Sequence, residues 1–304
     1  MYKCKGFLVL AEILKGRKQT MANFVLSAFA DEVSPVFDEQ LKYLKKQNIG
    51  YIEPRNIDGT NVSSLTLEQA KEAKAKMDKN GIGVSSIGSP IGKINVVTDD
   101  FDEHFKLFEH TLDIADIFEA KNIRMFSFFY PKGEDCHKYR DIIFSHIEKM
   151  LALAEKRHIT LCHENEMSIY GEKPEDCYDI MQHFGGRLKS VFDNGNFAFC
   201  FTEAYPKAFN LLKPYIEYIH IKDAKADGAI VPAGQGVGHI KEVLSGMKGV
   251  DRDIFITLEP HLTVFSGLDK LSNLAEIKVQ NAFETPEAAF DAATAALRAI
   301  LAEI

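Results

Sequence analysis

Four short segments in the second half of the chain each end at a side chain that can bind a metal ion. The segments are ITLCHEN, LKSVFDNGN, YIEYIHIKD and IFITLEPH, and they contain Glu164, Asp193, His220 and Glu259 in that order. Each segment is predicted to form a β-strand that runs into a loop. Three carboxylates and one imidazole, delivered by strands of one sheet, would meet at one edge and bind a divalent cation. The pattern therefore predicts a metal-dependent enzyme.

The donor set also indicates the metal and the chemistry. Oxygen-rich ligation with one imidazole suits Mn²⁺, Mg²⁺ or Co²⁺ and leaves Zn²⁺ open. A metal held this way polarises a carbonyl and its neighbouring hydroxyl as a Lewis acid. One carboxylate can remove a proton from the carbon between them, and a second can return it on the opposite face. Glu164 and Glu259 are the natural pair for these transfers, with the resulting enediolate held by the metal.

Each ligand has a simpler alternative. A single carboxylate at a strand end is usually a solvated loop residue or a helix cap, so the prediction depends on recurrence at four strand ends. Glu166 competes with Glu164, because residues i and i+2 of a strand share a face. Glu164 is preferred since it directly ends the apolar run. His163 and His261 flank two ligands and are interpreted as supporting or exposed histidines, because neighbouring strand residues face away.

The elements that must position these residues alternate between strand and helix. Short segments rich in Val, Ile, Phe and Tyr predict strands at Phe24–Ala30, Gly50–Glu53, Ile82–Ile87, Ile123–Phe128, Ile159–Glu164, Leu188–Asp193, Tyr215–Lys222 and Asp253–Glu259. Helical periodicity and capping signals predict helices at Pro35–Gln47, Thr66–Lys79, Phe101–Ala120, Tyr139–Lys156, Pro174–Phe184, Thr202–Leu212, His239–Met247 and Thr285–Ile304. Eight strand–helix units predict an α/β fold, a single-domain (β/α)8 TIM barrel with the four ligands at its catalytic rim.

Composition excludes several classes of function. A net charge of −8 with scattered Lys and Arg argues against a nucleic-acid partner. No apolar run reaches the ~20 residues needed to span a membrane. The five cysteines include no C-x-x-C pair, which indicates a reducing compartment and a cytoplasmic location. Residues 1–20 have a basic head and a short apolar stretch without a cleavage signal, so they are interpreted as an extension outside the core fold, residues 21–304.

Weaker candidates lie elsewhere on the predicted rim. Glu53 ends the second strand, and Lys93 follows the third, where it could contact a substrate hydroxyl or phosphate. The segment PAGQGVGHI, residues 232–240, is rich in glycine and opens a helix. A helix N-terminus can hold an anion, although a lone glycine cluster is a weak signal and the dinucleotide-binding layout is absent from the sequence.

The segments HENE-x-x-IYG (163–171), FDNGN (192–196), HIKDA (220–224) and LEPH (258–261) resemble the sugar phosphate isomerase/epimerase group. This group belongs to the xylose isomerase-like TIM barrel superfamily, which includes ketose 3-epimerases and inosose dehydratases. The resemblance extends from about Met21 to the C-terminus. It implies a divalent metal bound by Glu164, Asp193, His220 and Glu259. It also implies that Glu164 and Glu259 form the acid/base pair.

Two departures from the ketose epimerases bear on the substrate. Where those enzymes carry a His three residues after the metal-binding Asp, this chain has Asn196. Where they carry an Arg shortly after the metal-binding His, this chain has Lys222 and Lys225. Asn196, Lys222 and Lys225 are therefore candidate substrate-binding residues, together with Glu53 and Lys93.

The leading hypothesis is a metal-dependent isomerase or epimerase of a small polyhydroxylated carbonyl compound, a sugar or a sugar phosphate. An inosose-type dehydratase would use the same site to expel a hydroxyl instead. A nuclease resembling endonuclease IV is disfavoured by the net charge of −8, and a non-catalytic sugar-binding barrel by the complete ligand set. Relatives often form dimers or tetramers, so a homo-oligomer is compatible with the resemblance.

Overall fold

A computed structural model of the protein describes residues 23–263 and 283–304. The predicted extension, residues 1–20, and most of the segment between residues 261 and 286 lie outside the described residues. The division of the chain at residue 21 therefore stays a prediction.

Eight strands form a barrel in the described part of the chain. They are β1 (Phe24–Ala28), β2 (Tyr51–Ile52), β3 (Gly83–Val84), β4 (Asn122–Met125), β5 (Thr160–Glu164), β6 (Lys189–Asp193), β7 (Ile216–Ile221) and β8 (Ile254–Leu258). Several are shorter than predicted. The first strand ends at Ala28 because residues Ala30–Glu32 turn into a 3₁₀-helix.

The strands are parallel and the barrel is closed. Six of them form one sheet in the order β1, β8, β7, β6, β5, β4, and β2 pairs with β3. The Glu53 backbone N–H donates to Ala28 O at 3.0 Å, which joins β2 to β1. An isolated bridge between Ile87 and Ile123 joins the continuation of β3 to β4. The prediction of a (β/α)8 barrel is confirmed.

Helices surround the barrel. They are α1 (Phe37–Lys46), α2 (Leu67–Asn80), α3 (Phe101–Phe118), α4 (Arg140–Lys156), α5 (Pro174–His183), α6 (Asn194–Phe199), α7 (Phe209–Leu212), α8 (Ile240–Met247) and α9 (Pro286–Glu303). The capping box of Thr66 and Gln69 is present, and Gly81 ends α2 with φ at 69°. None of the described helices is both long and apolar enough to cross a lipid bilayer.

The predicted helix Thr202–Leu212 is shorter and less regular than expected. A π-helical turn at Ala204–Ala208, with a non-helical backbone at Tyr205, continues directly into α7 (Phe209–Leu212). The helix α6, which starts immediately after β6, has no counterpart in the prediction. Asp193 caps α6 by accepting a hydrogen bond from the Asn196 backbone N–H at 2.7 Å. The helix after strand six therefore starts at a candidate metal ligand.

Alternation along the strands separates two apolar regions. Outward residues such as Leu161, Phe192 and Ile219 belong to the large core between barrel and helices. Inward residues Cys162, Val191 and Tyr218 form a smaller cluster inside the barrel. Each of these three residues lies two positions before a predicted metal ligand, so the ligands rest on a packed apolar floor.

Candidate metal centre and active site

The four predicted ligands meet at the C-terminal ends of β5 to β8. One donor atom from each of Glu164, Asp193, His220 and Glu259 lies within 4.8 Å of the others, and all four residues are buried. The sheet register aligns Asp193 with His220, and His220 with Thr257 on β8. Parallel strands bring their carboxyl ends to one face, which explains how residues far apart in sequence converge.

Three carboxylate oxygens converge on one imidazole nitrogen. His220 Nδ1 lies 3.2 Å from Glu164 Oε1, 3.3 Å from Glu259 Oε2 and 3.7 Å from Asp193 Oδ2. Asp193 Oδ2 is buried and accepts no well-aligned hydrogen bond. One cation bound between the three carboxylate oxygens and His220 Nδ1 would give each of these atoms a partner.

The second oxygen of each carboxylate is held by the protein. Arg124 donates to Glu164 Oε2 at 3.1 Å, and Arg55 donates to Glu259 Oε1 at 3.1 Å. The third carboxylate, Asp193, has its Oδ1 fixed by the α6 cap described above. Each carboxylate therefore presents one oxygen to His220 Nδ1 and keeps the other anchored, which predisposes it to bind a metal through a single oxygen.

Glu53 lies behind His220. Its Oε2 is 3.2 Å from His220 Nε2, and its Oε1 accepts a hydrogen bond from Tyr218 at 2.9 Å. The side chain is fully buried, at 0% exposure. A carboxylate behind a metal-binding histidine orients the ring and raises the basicity of the ligating nitrogen. The sequence predicted substrate binding for Glu53, whereas its position is on the far side of the imidazole.

Charge in the site favours a cation. Buried acidic side chains outnumber buried Arg and Lys side chains in the described part of the site; the acids are Asp31, Glu32, Glu53, Glu164, Asp193 and Glu259, and the cations are Arg55, Arg124 and Lys222. Burial disfavours a charged imidazole, yet Glu164 and Glu53 outweigh it and hold the pKa of His220 well above its ordinary value. A divalent ion would take the place of that proton and offset the acidic surplus. The residues therefore fit a divalent metal.

Both candidate acid/base residues are held ionised. Burial raises the pKa of Glu164, but His220 and Arg124 lower it more, to about 2. Burial acts likewise on Glu259, and Lys222 and His261 bring its pKa well below the ordinary value. Without bound metal or substrate, both carboxylates are therefore in the ionised form that can accept a proton.

Sequence reasoning missed the arginines that support the glutamates. Arg55 and Arg124 are buried, and their guanidinium carbons lie 4.6 and 4.9 Å from the ring centre of Phe29. Arg55 also forms a two-point contact with Asp31, at 2.9 and 3.0 Å. A signal was available for Arg124, because an arginine inside a short apolar strand must have a buried partner.

Asn196 and Lys222 lie within the site. The Asn196 side chain donates to Glu164 Oε1 at 3.2 Å, so its amide is directed at the candidate base. Lys222 Nζ lies 3.0 Å from Asp193 Oδ2 and 3.2 Å from Glu259 Oε2. Both predicted substrate-binding residues therefore contact candidate metal ligands.

Lys93 and Lys225 lie outside the ligand cluster. Lys93 pairs with Glu166 at 3.2 Å and lies 4.3 Å from the ring centre of Phe126. Glu166, the competitor of Glu164, is thus committed to a different pair. Lys225 is exposed, in the turn of the hairpin formed by Asp223–Ala224 and Ile230–Val231.

The flanking histidines both support the site from buried positions. His163 faces away from the ligands and lies 2.9 Å from the Ser127 hydroxyl, which also accepts from the Gly171 backbone. A Cβ at Gly171 would stand 2.3 Å from the His163 ring, so the glycine of the HENE-x-x-IYG segment gives this histidine room. His261 is buried, with its Nε2 3.3 Å from Glu259 Oε1.

The glycine-rich segment already holds an anion from the protein. Asp223 accepts backbone hydrogen bonds, each 2.9 Å long, from Gly234, Gly236, Gly238 and Ala224. A Cβ at Gly236 would stand 2.3 Å from Asp223 Oδ1. Asp223 therefore takes the loop N–H groups that the weak glycine signal offered to an external anion, and it holds the loop in shape.

Comparison with known proteins agrees with this geometry. A family model described as "Xylose isomerase-like TIM barrel" matches residues 41–283. The chain belongs to the xylose isomerase-like TIM barrel family. The resemblance stated from the sequence motifs is thereby confirmed. None of the curated proteins compared with the chain matches it in sequence.

Solved structures show the same xylose isomerase-like barrel. A D-allulose 3-epimerase from Methylomonas sp. is similar with a TM-score of 0.71 and 13% identity, covering 93% of this chain and 99% of that one. The probable 3-DHS dehydratase AsbF from Bacillus anthracis is similar with a TM-score of 0.65 and 15% identity, covering 78% of this chain and 92% of that one. A xylose isomerase-like TIM barrel protein from Mycobacterium smegmatis, in complex with magnesium, has a TM-score of 0.65 and 15% identity, covering 92% of this chain and 99% of that one. At these identities the likeness shows the fold alone.

Proposed function

We propose that the protein is a divalent-metal-dependent isomerase or epimerase that moves a proton at a carbon next to a carbonyl of a small polyhydroxylated substrate. The observation that carries the proposal is the paired arrangement of Glu164 and Glu259. Each has one oxygen anchored by a buried arginine and the other directed at His220 Nδ1. The epimerases among the similar folds agree with this chemistry.

Glu164, Asp193, His220 and Glu259 would hold the metal, which supplies Lewis-acid polarisation of the carbonyl when bound. Glu164 and Glu259 come from β5 and from the residue after β8, so their carboxylates approach the site from different strands. One, as its carboxylate, removes the proton from the substrate carbon; the other first takes up a proton from water and then delivers it to the opposite face. Arg124 and Arg55 keep the two carboxylates oriented during these transfers.

An uncharged sugar is preferred to a sugar phosphate. The cations that line the described part of the site are already paired: Arg55 with Asp31, Arg124 with Glu164, and Lys222 with Glu259. A phosphate bound here would have to displace a carboxylate from one of them. A neutral substrate binds without disrupting these pairs.

Dehydration is the second candidate function, and the position of Lys222 favours it. Its ammonium lies 3.2 Å from Glu259 and can donate a hydrogen bond to a departing hydroxyl. The dehydratase among the similar folds agrees with this alternative. In this reaction Glu164 would remove the proton, and the hydroxyl on the neighbouring carbon would take a proton from the Lys222 ammonium and leave as water.

The two candidates can be tested in one experiment. Metal-depleted protein is supplied with Mn²⁺, Mg²⁺ or Co²⁺ in D₂O, and a panel of ketoses and inososes is followed by NMR and ultraviolet absorbance. Proton transfer predicts deuterium incorporation next to the carbonyl, which Glu164→Gln and Glu259→Gln abolish. Glu166→Gln is the matched control, because Glu166 pairs with Lys93 outside the ligand cluster.

The outcomes separate the alternatives. Deuterium exchange without a change in absorbance supports isomerisation or epimerisation, whereas an enone absorbance supports dehydration. Absence of both from every metal-loaded sample would count decisively against the proposal. Full activity in both Glu→Gln variants would refute the assignment of the acid/base pair.

A further inference from the structure

Lys222 is a buried cation inside the candidate metal centre. It follows β7, two positions after His220, and its side chain is 3% exposed. Its Nζ lies 3.0 Å from Asp193 Oδ2 and 3.2 Å from Glu259 Oε2. Buried lysines are rare without an ionic partner, and this one has two.

The oxygens that Lys222 contacts are the ones directed at His220. Asp193 Oδ2 and Glu259 Oε2 lie 3.7 and 3.3 Å from His220 Nδ1. The anchored oxygens of the same carboxylates contact the Asn196 backbone and Arg55 instead. The ammonium and a metal ion would therefore share two ligand atoms.

The local backbone gives the lysine room in this position. A Cβ at Gly195 would lie 2.5 Å from Lys222 Cγ and 2.9 Å from its Cβ. The glycine of the FDNGN segment thus permits close approach of the lysine stem to the start of α6. Glu164, the third carboxylate of the set, contacts Asn196 and Arg124 rather than this lysine.

We infer that Lys222 is a resident counter-cation that shares carboxylate ligands with the metal and lowers the affinity of the site for it. Without metal, its charge holds Asp193 and Glu259 together despite their mutual repulsion. With metal present, the ammonium and the divalent ion repel each other in a buried site where water screens little. The inference rests on the proposed metal centre but not on the reaction.

The test measures Mn²⁺ binding by calorimetry in wild type and in Lys222→Met and Lys222→Gln. Both substitutions remove the charge; Met keeps the four-atom length of the stem, and Gln is a shorter polar replacement. We expect both variants to bind Mn²⁺ more tightly than wild type, by at least about tenfold. Lys241→Met is the matched control, because it removes the same charge from a half-exposed lysine that pairs with Glu303 away from the ligand cluster, and it should bind Mn²⁺ like wild type.

Thermal unfolding supplies a second readout. The uncharged variants should melt at a lower temperature than wild type without metal, and the gap should close at saturating Mn²⁺. Equal or weaker Mn²⁺ binding by both variants, with wild type binding normally, would overturn the inference while leaving the metal centre intact. Failure of every protein to bind Mn²⁺ would overturn the proposed metal centre and the inference together.

Discussion

Replacing Glu53 by Gln distinguishes a residue that orients the metal-binding histidine from one that binds substrate. The Glu53 carboxylate is 3.2 Å from His220 Nε2, and Tyr218 donates to its other oxygen at 2.9 Å. Glutamine keeps the shape and can retain the bond to Tyr218, but it provides a neutral partner for the imidazole. Because the side chain is fully buried, at 0% exposure, solvent cannot substitute for the lost charge.

The magnitude follows from the position of Glu53 directly behind a candidate ligand. Loss of such a partner typically weakens metal binding by about 10- to 100-fold, or about 1.4–2.8 kcal/mol. The assay is calorimetric titration of Mn²⁺, followed by measurement of KM at saturating metal. We expect weaker Mn²⁺ binding and an unchanged KM.

An exposed carboxylate far from the ligand cluster provides the control for the Glu53 variant. Glu242→Gln removes a half-exposed carboxylate on α8 and should leave Mn²⁺ binding unchanged. If Glu53→Gln raises KM while Mn²⁺ binding stays at the wild-type level, Glu53 contacts substrate and the orienting role is refuted.

Three further predictions concern the supports of the site and the fold. Arg124→Lys cannot reproduce the contacts of the guanidinium with Glu164 Oε2 at 3.1 Å and Gly88 O at 3.2 Å. Solvent exchange of the substrate proton should fall by about a hundredfold; an unchanged rate would exclude a positioning role. Asp223→Ala removes the acceptor of four backbone N–H groups, so the free energy of unfolding in urea should fall by about 2–4 kcal/mol. An unchanged unfolding midpoint would contradict the role of Asp223 in holding the loop. Burial lowers the pKa of His104 from 6.5 to about 4, and its Nε2 accepts from the Gly92 backbone at 2.8 Å. The unfolded chain therefore binds the proton more readily, and stability present above pH 6.5 is lost as the pH falls towards 4. Between pH 7 and pH 5, the free energy of unfolding in urea should fall by about 2 kcal/mol more for wild type than for His104→Gln. Equal decreases in the two proteins would refute this.

The fold could be predicted because the sequence repeats one local pattern. Strand-forming segments alternate with amphipathic helices, and eight such units are enough to predict a closed barrel. The local exception is instructive. The unpredicted element is α6, which Asp193 caps directly after β6; the predicted helix Thr202–Leu212 follows it as a π-helical turn at Ala204–Ala208 and α7. A capping bond made by a site residue therefore adds a helix that the local periodicity does not indicate.

The ligand set could be predicted for a similar reason, whereas its supports could not. Glu164, Asp193, His220 and Glu259 each end a strand, and the barrel brings strand ends together. Their partners follow no such rule. Arg55 reaches Glu259 across 204 positions of sequence, and Arg124 reaches Glu164 across 40. Nothing in the local spacing specifies which buried arginine faces which carboxylate.

Two residues predicted to bind substrate contact candidate metal ligands at the oxygens directed at His220. The Asn196 amide donates to Glu164 Oε1 at 3.2 Å, and Lys222 Nζ lies 3.0 Å from Asp193 Oδ2. A buried carboxylate oxygen needs a donor or a cation, and these two side chains supply one in the absence of a metal. Polar residues just after a metal ligand are therefore as well placed to complete the ligand shell as to bind substrate. On this view, the exchange of a ring donor for Asn196 alters the orientation of the candidate base before it alters the choice of sugar.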